Sequence, residues 1–359
     1  MSVLTDLGLV DAVRRAEHQD MYGIIFSSPN AKVVPVPSVK SPEEPPPGFV
    51  CRREVFDNIL FQNAKSMCAK TIEGFTVTDV LKEGERVVGV SGIMARAEGE
   101  GKALEFRADV VVGADGAGSV VARKLGSVNG DEAHQCAAAR AYYENVEGLS
   151  DKIELHFVKE SLPGYFWIFP LPNKRANVGI GMIVRDMKKN KVNLPQVMQA
   201  ILENNPLFKE RFKNARRASD MKSWILPLAS KRTKIHGHGY VLVGDAASLI
   251  DPFSGEGVGN GLTSSRIASR TILKAFGKKD FSEAALAEYP VELFREIGKE
   301  VDVNYKMQRL ANNEFLLNLV IDKASRSKDV QGLISDALIN PDSHKNFLDP
   351  MFYIRVIFA

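Results

Sequence analysis

The opening stretch VLTDLGLVDAVRRAEH sets Leu4, Leu7, Val10 and Val13 at helical spacing and predicts one helix at the very start of the chain. From Met21 to Val36, short apolar runs alternate with turn residues and predict strands. SPEEPPPG, Ser41 to Gly48, reads as a proline-rich loop. REVFDNILFQNAKSM after it is amphipathic, with Val55, Ile59 and Leu60 on one side, and predicts a helix. GFTVTDVLKEGERVVGVSGIMA reads as two strands joined at Glu83-Gly84-Glu85. Val110 to Val112 is a short, wholly apolar run of the kind that buried parallel strands show, and a Gly-rich turn and a helix follow it.

The middle of the chain changes character. KIELHFV alternates strictly, placing Ile153, Leu155 and Phe157 on one face. GYFWIFPLP alternates too, with Tyr165, Trp167 and Phe169 on one face and Phe166 and Ile168 on the other. ANVGIGMIV is a third strand, and Pro170 to Arg175 a hairpin connection. LPQVMQAILENNPLFKERF reads as helix. GYVLVGDAASLIDPFSGEGVGNGLTSSRIASRTILKAFG then returns to a buried strand, a Gly-rich loop and a long helix closed by Gly277. From there to Ser343 the pattern is helical. The order predicts an α/β fold: an incomplete doubly wound domain interrupted by an antiparallel-sheet substrate domain, with a C-terminal helical region. The segments run 1–126 and 236–277 for the α/β domain, 127–235 for the sheet and 278–359 for the helices.

At 359 residues, the chain is long enough to bury a core without disulfide or metal staples. Lys+Arg 47 against Asp+Glu 44 leaves +3, too balanced for a dedicated nucleic-acid binder. Cys51, Cys68 and Cys136 are too few and scattered for a disulfide framework, no C-x-x-C occurs, and a reducing cytoplasm fits them. Asp6 and Asp11 interrupt the first apolar stretch, which argues against a signal peptide. No apolar run reaches the ~18 residues of a membrane span. The basic runs RDMKKNK, RFKNARR and KRTK read best as solvated faces, while peripheral contact with the inner face of a membrane stays compatible with them. His236 and His238 lack a third ligand nearby, so no metal site is expected.

Two segments carry candidate chemistry. In VVVGADGAGSVVARKLG, Asp115 sits in the turn at the carboxyl end of a strand, where open α/β sheets bind ligands, and Gly113, Gly116 and Gly118 allow close backbone approach. Its plain alternative is a strand-to-helix turn in which Asp115 and Ser119 cap the helix. In the second segment, Asp245 again follows a buried strand, and Gly255, Gly257, Gly259 and Gly261 alternate shortly after. They leave a bare backbone surface against which a flat ligand can lie. A helix starting at about Asn260 presents free N–H groups and a partial positive charge, suited to a ring that becomes negative on reduction.

GADGAGSVVARKLG and GYVLVGDAASLIDPFSGEGVGNGL together resemble the two downstream FAD-binding motifs of the aromatic-hydroxylase-type flavoproteins, and CRREVFDNIL resembles their Arg-x-x-Phe-Asp segment. LPGYFWIFPLPNKRANVGIG resembles the lipid-pocket signature of the geranylgeranyl reductase family, and the likeness extends to DPMFYIRVIF in the tail. The resemblance implies FAD as cofactor, held by Asp115, Gly116, Gly244, Asp245 and Pro252, and by Gly255, Glu256, Gly257, Val258, Gly259 and Asn260. It also implies that either Arg52 or Arg53 reaches FAD; spacing alone does not choose between them, and Arg53 is taken as the candidate. Tyr165, Trp167, Phe169 and Pro170 would line a prenyl cavity; simple core packing is the competing reading for any single aromatic. The implied reaction is reduction of isoprenoid C=C bonds in a prenyl lipid or prenyl diphosphate, with NAD(P)H or ferredoxin as external reductant. No residue is singled out as proton donor.

The chain departs from the family in one respect. The G-x-G-x-x-G of the first βαβ unit occurs nowhere in it, so a pyrophosphate cradle and an acidic ribose ligand have no counterpart, and one such unit is expected to be missing at the N-terminus. The family's N-terminal cysteine segment has none either. Two other readings follow: a flavin monooxygenase or halogenase on the same fold, and a homologue that folds without holding FAD.

Overall fold

The computed structural model describes residues 2–38, 46–95 and 101–339. Most of the proline-rich loop, the DPMFYIRVIF tail and the last residues of the expected helical region lie outside them. Packing divides the chain into two units: Met1–Gln62, Gln135–Ile225 and Val303–Ala359 in one, Asn63–His134 and Leu226–Asp302 in the other. The segmentation by motif placed the first 62 residues with the α/β part; in the structure they pack with the antiparallel sheet.

The first unit is built on an eight-stranded sheet. Its main path runs Arg216–Arg217, Gln135–Glu144, Arg175–Ile183, Gly164–Leu171, Lys152–His156, Gly23–Ser27, Val33–Pro37, and all these pairs are antiparallel except Lys152–His156 with Gly23–Ser27. One face is sealed: Ala137, Ala139, Phe166, Ile168, Val178 and Ile180 are buried there under Met198 and Ile201 of the helix Leu194–Asn204. Six such side chains removed from water contribute on the order of 10 kcal/mol of burial. That helix was expected to continue through Phe212; it stops at Asn204 and resumes over Lys209–Phe212.

Two expectations change here. The N-terminal periodicity forms two short helices, Ser2–Asp6 and Val10–Arg15, because Gly8 takes a positive φ of 66° between them. In Lys152–His156 the alternation is present but the fully buried side is the polar one: Glu154 is 1% exposed and His156 2%. Arg211 makes this tolerable. Its Nη1 and Nη2 each donate to one Glu154 oxygen at 2.7 Å, while His156 bonds Glu154 Oε2 and Ser27 Oγ, both at 2.9 Å. Phe166 and Phe208 wall this knot in.

The second unit holds the parallel pair Tyr240–Leu242 and Val111–Gly113, with His236–Gly237 at the edge, and the antiparallel meander Phe75–Glu83, Arg86–Met94, Lys102–Arg107. Val112, read as buried, is 46% exposed; only one side of this short strand is covered. Val241, Leu242, Ile267, Ala268, Tyr289 and Leu293 form the core, and Tyr289 Oη donates to Leu242 O at 2.7 Å. The helix Val258–Lys278 ends one residue beyond Gly277, with Lys279 in the left-handed conformation as its cap. Among the described residues no helix is long and apolar enough to cross a membrane.

Candidate functional site

In the second unit, the two parallel strands end side by side, and each releases its chain into a turn that carries an aspartate. Asp115 spends its oxygens on the next helix, Val120–Lys124. Oδ1 accepts from Ser119 Oγ at 2.5 Å, Oδ2 accepts from Val120 N at 2.7 Å and Val121 N at 3.2 Å, and Ser119 Oγ caps Ala122 N. The capping alternative therefore describes what this carboxylate does in the chain. Gly116 has φ +76°, with no heavy atom within 4 Å of where a Cβ would stand.

Asp245 lies in the tight turn Gly244–Ala247. Gly244 has φ +57°, its N–H donates to Ser264 Oγ at 3.0 Å, and Ser264 Oγ in turn donates to Gly261 O at 2.9 Å. One serine thus fixes the turn to the first coil of the long helix. Asp251, 6% exposed, shapes the following loop by accepting from Phe253 N, Ser254 N and Ser254 Oγ at 2.8–3.0 Å. This Asx turn brings the chain back so that a Cβ on Gly257 would stand 3.2 Å from the Asp245 carboxylate and from Ile250. Asn260 Nδ2 donates to Leu249 O at 2.8 Å, and the exposed Glu256 accepts from Gly259 N at the helix tip. Gly244, Asp245 and the whole run Pro252–Asn260 are thereby brought together. Sequence reasoning missed Asp251 and Ser264; the signal for the first was its Asp-Pro-Phe-Ser turn.

In the first unit, the face opposite the sealed core carries a ladder of rings. Phe26, Phe157, Tyr165, Trp167 and Phe169 follow one another with centroids 5.9–6.5 Å apart. Tyr165, Trp167 and Phe169 are half-buried, whereas Phe166 and Ile168 are fully buried on the other side. Pro170 does not join the ladder: it alternates onto the Phe166 and Ile168 side, opposite Ala176. Trp167 pairs with Gly179, and a Cβ there would meet the indole at 2.2 Å and Ala139 O at 2.7 Å, so the ring lies on bare backbone. Trp167 Nε1 donates to Asn177 Oδ1 at 3.3 Å. On the same face, burial pushes the Cys136 thiol up to about 12, which keeps it neutral. Arg53 also belongs to this unit, where it pairs with Asp57 at 2.8 Å.

Gly179→Val is expected to destabilise the protein by about 1–3 kcal/mol in urea denaturation, because the added side chain must displace the indole or the strand. Gly277→Ala serves as the opposite case: no atom stands within 4 Å and the site is helical, so it should stabilise by about 0.5–1 kcal/mol.

A family of FAD-binding domains matches residues 1–280. The digeranylgeranylglycerophospholipid reductase of Methanocella arvoryzae is 30% identical over 266 residues, which are 73% of this chain and 64% of that protein. Digeranylgeranylglycerophospholipid reductase 2 of Methanopyrus kandleri is 31% identical over 277 residues, 76% of this chain and 68% of that one. The chain belongs to the geranylgeranyl reductase family of FAD-dependent oxidoreductases. A geranylgeranyl bacteriochlorophyll reductase-like protein from Thermoplasma acidophilum shares the fold of this family member, with a TM-score of 0.80 at 23% identity over 97% of this chain and 87% of that one. The chain spans about two thirds of the length of the two curated relatives.

The residues of this geranylgeranyl reductase family member fit the cofactor that its family binds. Gly244 and Gly255 hold positive φ, and a Cβ on Gly257 would crowd the Asp245 carboxylate and Ile250 at 3.2 Å, so this loop is shaped by residues without side chains beside an acidic one.

Proposed function

We propose that this chain is an FAD-dependent reductase of isoprenoid C=C bonds in a prenyl lipid. The observation that carries the reading is the Trp167 ladder: five rings in series, Phe26 and Phe157 buried and Tyr165, Trp167 and Phe169 half-buried, with glycine under the indole, in a family whose curated members are named for a digeranylgeranyl lipid. An apolar face of that shape suits a long unsaturated chain, since each buried methylene contributes about 0.8 kcal/mol.

Asp245 and the bare run Gly255 to Asn260 would hold FAD, with Gly244 and Gly116 allowing close approach and Asp115 fixing its turn. The tip of the helix Val258–Lys278 carries a partial positive charge that favours an anion, a place the Glu256 carboxylate takes within the chain by accepting from Gly259 N. When bound and reduced, FAD supplies the hydride for the alkene. On the first unit, the rings of Tyr165, Trp167 and Phe169 would align the prenyl chain. NAD(P)H or ferredoxin would return the electrons.

The test is to incubate the chemically reduced, FAD-loaded protein with geranylgeranyl lipids without oxygen and to weigh the products. Gain of one H2 per reduced bond is the expected outcome. No reduced lipid without oxygen, with oxygenated or halogenated product appearing in step with O2 consumption once air is admitted, would instead support the monooxygenase or halogenase reading, and protein that stays colourless with added FAD would support the reading without cofactor. Trp167→Ala should retain FAD affinity, while lipid reduction falls roughly tenfold or more through lost ring contact. Equal loss of flavin would contradict the assignment.

A further inference from the structure

The strand Gln135–Glu144 extends the ladder's face in an unexpected direction. Arg140 pairs with Gly179, which pairs with Trp167, so Arg140 stands on the indole's face two strands away with only a glycine between. Tyr142 pairs with Asn177, the acceptor for Trp167 Nε1. The Arg140 guanidinium carbon lies 4.9 Å from the centroid of the Tyr142 ring, and that of Arg52 lies 5.5 Å from the same centroid. Two cations therefore gather at one ring.

Neither cation is fully satisfied. Among the described residues, no carboxylate pairs with Arg140, which is half-buried. Arg52 Nη2 meets Glu54 at 2.6 Å, but that carboxylate is 79% exposed, and a pair so open to water contributes little. Arg52 Nε is buried with no acceptor at all. A buried donor without an acceptor is costly, and a guanidinium fork matches phosphate oxygens better than any other side chain does. From the Gly23–Ser27 strand to the Gln135–Glu144 strand the face spans four strand steps, about 19 Å at ~4.8 Å each. It is apolar along the rings and cationic at one end.

We infer that Arg140, Tyr142 and Arg52 bind the phosphate or diphosphate head of the prenyl substrate whose chain lies on the ladder. This rests on the ladder being the prenyl face. The diphosphate of FAD carries the same chemistry, so the experiment separates the two sources.

Trp224, 62% exposed, is the second of two tryptophans, and Trp224→Phe leaves Trp167 as the sole reporter of the ladder. In that background, geranylgeranyl diphosphate and the uncharged geranylgeraniol are titrated against Trp167 emission, and FAD against flavin fluorescence. Arg140→Gln is expected to weaken the diphosphate roughly ten- to a hundredfold, leaving the alcohol and FAD unchanged. Arg140→Lys should fall between, because it keeps the charge and loses the fork. Tyr142→Leu provides an independent variant with the same expected pattern. Equal weakening of diphosphate and alcohol overturns the inference, since packing alone would explain it. Weakened FAD with unchanged diphosphate binding overturns it too and hands the arginines to the cofactor. Quenching by neither prenyl ligand in the parent protein overturns the prenyl reading along with it.

Discussion

Arg211→Met is expected to lower the unfolding free energy by about 3–5 kcal/mol in urea denaturation, among the largest losses from any single replacement in the first unit. The change strands the Glu154 carboxylate, 1% exposed, without the fork that holds both its oxygens at 2.7 Å. Arg211 also donates to Glu147 O and Gly148 O, so the helical turn Lys209–Phe212 loses its anchor at the same time. Adding Glu154→Leu to the variant should recover part of the loss, because an apolar pair avoids the stranded charge. A loss under about 1 kcal/mol would show that the knot relaxes and carries no such stability.

The same knot gives stability a direction with pH. Burial alone would raise the Glu154 pKa, but hydrogen bonds from Arg211 and His156 outweigh it and hold the carboxyl below its usual range. Burial also holds His156 below its ordinary value, against the opposing hydrogen bond from Glu154. Both groups therefore release protons on folding, and the unfolded chain binds more of them as the solution is acidified. Stability should fall from about pH 6.5 downward, as histidine protonates in the unfolded chain, and fall further near about pH 4 through the glutamate. His156→Gln should flatten the first of these steps.

Asp245→Ala should weaken FAD roughly ten- to a hundredfold by flavin fluorescence titration, while prenyl alcohol quenching of Trp167 stays unchanged. The reason is positional. The Asp245 side chain stands beside the bare Gly257 backbone at the carboxyl end of Tyr240–Leu242, where open α/β sheets receive ligands. Asp245→Asn keeps a hydrogen-bonding oxygen and should retain part of the affinity. FAD affinity within about twofold of the parent in the alanine variant would remove Asp245 from the site.

Much of this architecture was open to reading from local pattern, because local pattern reports what neighbours in sequence do. The helix Arg53–Met67 is legible from its periodicity, although the residue it buries is Phe56 rather than the expected Val55, with Ile59 and Leu60 beside it, and the aromatic alternation of Gly164–Leu171 assigns its two faces without outside help. The inverted burial of Lys152–His156 depends on Arg211, 57 residues further on from Glu154, and no periodicity encodes that partner. For Asp115 the residues alone allow cofactor contact or a helix cap, and its bonds from Val120 N and Val121 N emerge only in three dimensions. Arg140 escaped for a similar reason: it faces the ladder only through the register that sets it against Gly179. The glycines of GIGMIV stand out in the sequence, yet their use as a floor for an indole emerges only from strand pairing.

The alternation of the two units along the chain has a bearing on biosynthesis. One is assembled from three stretches and the other from two, so the polypeptide changes unit four times between its ends. Residues up to Gln62 find their last partners only after Val303 has been made, some tens of seconds later at about 5–20 residues per second. Neither unit can be excised as one continuous piece, and a nascent chain halted midway exposes half-built sheet edges to its neighbours on the polysome.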